Sequence, residues 1–139
     1  MSKNNINFYQ VDDDIIKAMA PILLKIIEEK KRAFIYVKDS AQVEKIDAGL
    51  WSYGRSKFIP HAMIFDKDFV LAKQPIIISN NCENINQADY LIFLDEPATS
   101  FITQFTRIFY FYTQLPKCQN IKPDNIYKKV DGKWHKVLL

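Results

Sequence analysis

Short runs of continuous apolar residues alternate along this chain with longer stretches in which apolar positions recur every three or four residues. Residues 6–11 (INFYQV) are aromatic and β-prone. They end at Asp12, Asp13 and Asp14, which read as helix-start residues whose negative charge faces the positive end of the helix macrodipole. Ile15, Ile16, Met19, Leu23, Ile26 and Ile27 then fall at helical spacing, and a mostly basic stretch over residues 28–32 closes the segment. Pro21 sits inside this pattern and marks either the first turn of the helix or a kink. Residues 33–37 (AFIYV), 75–79 (PIIIS) and 90–94 (YLIFL) are apolar throughout, as strands buried on both faces are. Lys38, Asp39 and Ser40 form a turn and N-cap, and the spacing of Val43, Ile46, Ala48 and Leu50 predicts a helix over 41–51. Residues 52–57, with Gly54, form a polar loop, and 66–74 and 80–89 are two more. Phe101, Phe105, Ile108, Phe109 and Tyr112 share one side of a helix predicted over 101–112, after which the pattern weakens.

Strands alternating with helices imply a parallel sheet joined by right-handed crossovers. The predicted fold is a three-layer Rossmann-like α/β fold with a mostly parallel central sheet flanked by helices. At 139 residues the chain is long enough for one core. Residues 1–115 are assigned to that domain, and 116–139 to a basic C-terminal segment packed on it or extending from it.

Composition then narrows the function. The chain has only three glycines, none before Gly49, so the turn after the first strand lacks the G-x-G-x-x-G of a dinucleotide site, and no P-loop occurs elsewhere. Three aspartates at a helix N-terminus would repel phosphate. No cofactor is expected. The net charge is +3, yet from Lys117 onward six lysines stand against two aspartates, so this segment prefers an acidic partner. Cys82 and Cys118 match no metal or redox spacing and fit a reducing compartment. Neither a signal peptide nor an apolar stretch of about 18–20 residues is found, which predicts a cytoplasmic protein without a membrane. Asp12, Asp13 and Asp14 with Asp95 and Glu96 would have the hardness for Mg²⁺ if they converged, which defines one alternative, a metal-dependent hydrolase. Capping and turn formation are the plainer role for these carboxylates. A structural imidazole is the expected role of His61, and no catalytic residue is assigned.

Leu50-Trp51, followed seven residues on by Phe58-Ile59-Pro60-His61, resembles the Leu-Trp…Phe-x-Pro-His motif of the chi subunit family of bacterial DNA polymerase III. Colinear agreement runs from Phe8-Tyr9 through Gln42, Val43, Ile46 and Asp47, Gln74-Pro75 and residues 88–92 to Phe105-x-Arg107 and Tyr112. The resemblance implies a non-enzymatic adaptor of the clamp-loader complex, lacking a nucleotide site. Its implied partners are the small psi subunit, the acidic C-terminal tail of single-stranded DNA-binding protein and an accessory helicase, with nucleic acid reached only indirectly. By position the psi contacts fall on Trp51, Phe58 and Pro60. Packing of both rings beneath the 52–57 loop is the structural alternative.

The chain departs from the family at its C-terminus, where chi proteins carry a basic, tyrosine-bearing helix. Here Asp131-Gly132 between two alternating segments looks like a β-hairpin turn. The tail contacts are placed on Tyr127, Lys128, Lys129, Lys133 and Trp134, lysines for carboxylates and rings for an apolar terminal side chain. In a hairpin Tyr127 and Lys129 point one way and Lys128 the other; Lys128 is favoured because a helical alignment sets it nearest the family's basic position. The same five residues define the other alternative, a direct single-stranded nucleic-acid binder.

Overall fold

A computed structural model describes residues 5–12, 14–53, 58–67 and 70–137. In chain order its elements are β1 (Asn5–Gln10), α1 (Ile15–Glu28), β2 (Ala33–Tyr36), α2 (Ser40–Ser52), β3 (Ala62–Met63), a 3-10 turn (Leu71–Lys73), β4 (Ile76–Ser79), β5 (Tyr90–Phe93), α3 (Thr99–Ile102), β6 (Arg107–Tyr112), β7 (Asn125–Val130) and β8 (Lys133–Val137). The strands form one mixed sheet of order β3-β4-β2-β5-β6-β1-β7-β8. Every neighbouring pair is parallel except the antiparallel β7–β8 hairpin.

Local chemistry starts and stops the helices. Asp14 accepts the Lys17 N–H at 3.2 Å and Asp39 accepts that of Gln42 at 2.9 Å, so each satisfies an otherwise orphaned donor of the first turn. Asp13 and the 54–57 part of the polar loop lie outside the described residues. Pro21 lies well inside α1, on an exposed position, so the helix begins before it. At the other end Lys30 adopts φ 59° and the Lys31 N–H returns to the Ile26 carbonyl at 3.0 Å, a left-handed closure of the kind glycine usually makes. No helix among the described residues is long and apolar enough to cross a membrane.

Two apolar layers sandwich the sheet. On one face Ala18, Met19, Leu23 and Ile26 of α1 and Val43, Ile46 and Leu50 of α2 cover Tyr9, Ile35, Ile76, Ile78, Ile92, Phe109 and Phe111. Gly49 permits the close approach of these helices, since a Cβ there would stand 2.8 Å from Ile16 Cγ1. On the other face Phe8, Phe34, Ile77, Leu91, Phe93, Ile108, Tyr110 and Tyr112 are covered by Phe101, Phe105, Ala88 and Ile121. Fully burying each such side chain contributes about 1.5–3 kcal/mol.

The helix expected over 101–112 is not formed. Only Thr99–Ile102 is helical, and Arg107–Tyr112 is a central strand between β5 and β1. The run Ile108-Phe109-Tyr110-Phe111-Tyr112 satisfies helical spacing and two-sided strand burial equally well; the slot between two parallel strands, where aromatic and β-branched residues pack best, decides it. In consequence no long helix remains for the second face. Its cover is α3 with the connecting segments around Ala88 and Ile121, rather than the helical layer the sequence predicted. The short β3 and the pairing of β7 onto β1 also went unpredicted.

The C-terminal hairpin turns where the sequence placed it. Asp131 and Gly132 have φ 51° and 77°, the positive pair a two-residue hairpin turn requires. Gly132→Ala is therefore expected to destabilise the protein by about 1 kcal/mol, read as a lower urea midpoint; an unchanged midpoint would show that the turn does not depend on this backbone state.

A second expectation concerns alkaline pH. Burial pushes the Tyr110 hydroxyl up to about 12, and burial followed by the Glu96 carboxylate does the same to the Cys118 thiol, from ordinary values of 10.0 and 9.0. Both groups stay neutral in the folded chain over a range where the unfolded chain ionises. The stability they contribute is complete below pH 9 and is lost as pH rises toward 12. Urea midpoints at about pH 8 and about pH 10.5 should show this fall, and Cys118→Ser should reduce it.

Candidate functional site

Two aromatic surfaces stand out, at opposite ends of the sheet. The first sits where α2 runs toward β3. Trp51 occupies the last turn of α2 and is 56% exposed; Phe58 is 64% exposed, and their ring centroids lie 5.4 Å apart. These rings pack on each other and are exposed at the surface. Pro60 is half-buried and Ile59 fully buried, which anchors the segment bearing Phe58.

Beneath the rings lies a polar pair. The His61 side chain is almost wholly buried, its Nδ1 is 2.6 Å from the Ile59 carbonyl, and its Nε2 is 3.1 Å from Asp47 Oδ1. The last is a close polar contact without a hydrogen bond from Nε2. The imidazole also packs against Trp51, centroid to centroid 4.9 Å. Burial raises the Asp47 carboxyl above its ordinary range, while His61 and the Trp51 side chain pull it back. The sequence reading gave His61 a backbone-bonded structural role and left Asp47 unassigned; both already stand in the segments that carry the chi resemblance.

The second surface lies under α1. Tyr9 of β1 stacks on Tyr127 of β7 at 5.2 Å and meets Trp134 of β8 edge-on at 5.1 Å. With Ile22, Lys25, Ile26 and Glu29 of α1 and Tyr90, Arg107 and Phe109 from the neighbouring strands, Tyr9 and Trp134 line a cleft of about 200 Å³. The Arg107 guanidinium stands 5.1 Å over Phe109 and 5.5 Å over Tyr90, and Lys129 Nζ is 5.6 Å from the Trp134 ring. Burial, then Tyr127, raises the Tyr9 hydroxyl, while Arg107 lowers it.

Strand register sorts the five C-terminal candidates. Lys129 pairs with Trp134 and Tyr127 with Lys136, so these four side chains share the face of the cleft. Lys128 pairs with His135 and Val130 with Lys133, which puts Lys128 and Lys133 on the other face. Arg107, Lys25, Tyr90 and Phe109 were not singled out for this site. Arg107 was visible only as part of a supposed helix, where its position over a sheet face could not be read.

The carboxylates of the hydrolase alternative have structural work. Asp14 caps α1, Asp95 accepts the Lys38 N–H at 2.9 Å, and Glu96 accepts the N–H groups of Gln119 and Asn120 at 3.1 and 2.8 Å. Among the described residues no three His, Cys, Asp or Glu side chains are grouped to hold a metal ion.

A probable DNA polymerase III subunit chi from Rickettsia prowazekii is 31% identical over 99 residues, which cover 66% of this chain and 59% of the relative. The DNA polymerase III subunit chi of Pseudomonas aeruginosa is 24% identical over 123 residues, 86% of this chain and 84% of the relative. The family model described as DNA polymerase III chi subunit, HolC, matches residues 3–131, so the chain belongs to the DNA polymerase III chi subunit family.

Proposed function

We propose that this chain is a non-catalytic, cytoplasmic adaptor of DNA replication, which joins the psi subunit of the clamp loader to the acidic C-terminal tail of single-stranded DNA-binding protein. Residues 116–139 act as part of the same domain, since β7 and β8 extend its sheet. The observation that carries this reading is the exposure of Trp51 and Phe58 as a mutually packed pair within the family motif. Large rings left in water by a well-packed protein are characteristic anchors of protein interfaces. An accessory helicase is a competing occupant of this surface.

Trp51→Ala and Phe58→Ala should each cost about 2 kcal/mol or more of psi affinity, the range of interface hot spots, while leaving thermal stability nearly unchanged. Loss of stability with undiminished psi binding, measured by calorimetry on purified subunits, would make them fold residues.

The second partner suits the cleft under α1. An acidic tail ending in an apolar side chain beside a free carboxylate needs an apolar slot ringed by cations. Tyr9, Phe109 and Trp134 supply the slot; Arg107, Lys25 and Lys129 supply the charge. Separation of Lys128 and Lys133 onto the other face favours this over a single-stranded nucleic-acid groove built from all five candidates, and it favours Lys129 above Lys128.

Accordingly Lys129→Glu is expected to weaken binding of a synthetic tail peptide about tenfold or more, as loss of a charge-assisted contact does. Lys128→Glu should act only through screened charge, about fivefold or less. Psi affinity should be unaffected by either change. Added salt should weaken the peptide complex. A larger effect at Lys128 than at Lys129 would place the tail on the opposite face.

A further inference from the structure

The exposed Trp51 ring has more structure behind it than an interface anchor requires. A tryptophan in the last turn of a helix beside a loop has two freely accessible side-chain torsions. Here three contacts restrict them. Asp47 precedes Trp51 by four residues, so both side chains lie on one face of α2, where the Trp51 side chain lowers the pKa of the carboxyl. His61 touches the same carboxylate through Nε2 and the face of the indole through its ring. The imidazole is fixed in turn by the Ile59 carbonyl, which can only accept, so Nδ1 is the donor in that contact.

We propose that Asp47 and His61 form a positioning pair that fixes the Trp51 indole in the orientation in which it meets its partner. The proposal rests on the reading that Trp51 and Phe58 dock the psi subunit. Asp47 orients the ring from below through the indole N–H, and His61 supports its face. The partner then meets a ring already held in place, and less side-chain entropy is lost on binding.

The two indole N–H proton resonances of the full chain, assigned with Trp51→Phe and Trp134→Phe, report the pair directly. Asp47→Ala should move the Trp51 resonance toward that of free indole, speed its exchange with water, and leave the Trp134 resonance in place. The same variant should weaken psi binding about tenfold. Asp47→Asn keeps an acceptor for the indole and should restore most of both readouts. His61→Gln, whose amide nitrogen can occupy the Nε2 position, should likewise bind psi more tightly than His61→Ala. An unmoved Trp51 resonance in Asp47→Ala, or a moved one with unchanged psi affinity, overturns the proposal. Equal psi affinity for Asp47→Asn and Asp47→Ala at reduced stability also overturns it, because the pair would then only support the fold. Failure of the underlying reading is separate: it appears as unchanged psi affinity in Trp51→Ala.

Discussion

Two-sided burial of the central strands governs the rest of this molecule. In β4, β5 and β6 nearly every side chain is buried whichever way it points, so both faces of the sheet must be covered. The two long helices can serve only one face, and the chain meets the remaining demand with Phe101, Phe105, Ala88 and Ile121 from short or irregular segments. Those segments are tied down by polar contacts: Glu96 holds the backbone at Gln119 and Asn120, and the Tyr110 hydroxyl accepts the Lys117 N–H. Polar residues that resemble a metal-binding set in sequence thus serve to dock loops on an apolar sheet.

The same sheet separates the two surfaces. Trp51 and Phe58 stand beside β3 at one end of the strand order, whereas the cleft is built around β6, β1 and β8 toward the other. Neighbouring strands lie about 4.8 Å apart, so the surfaces are several strand spacings from each other and share no side chain. Contacts this far apart combine almost additively. Occupancy of one surface therefore neither requires nor obstructs occupancy of the other.

What the sequence made legible follows from which signals are local. Caps are local, and Asp14, Asp39 and the Asp131-Gly132 turn all act where they were placed. Continuous apolar runs identified β2, β4 and β5. Residues 101–112 defeated the periodicity argument because a run of five consecutive large apolar residues fits both periods; only the vacancy between β5 and β1, a non-local fact, distinguishes them. The candidate sites divide in the same way. Trp51, Phe58 and Pro60 come from one contiguous motif and were found together. The cleft draws on α1, β1, β5, β6 and the hairpin, so Arg107 and Lys25 became visible only when the strands were aligned. Register likewise split Lys128 from Lys129, which no alignment to a helical relative could do.

The hairpin also settles how the sheet ends. A parallel sheet with a free flank exposes a row of N–H and C=O groups that any extended chain can extend. At one flank β3 is only two residues long and offers little length to copy. At the other, β8 carries Lys133 and Lys136 on exposed positions, so a second molecule aligning there would bring like charges together. The charge that makes this terminus basic therefore also discourages pairing of a second chain along this edge.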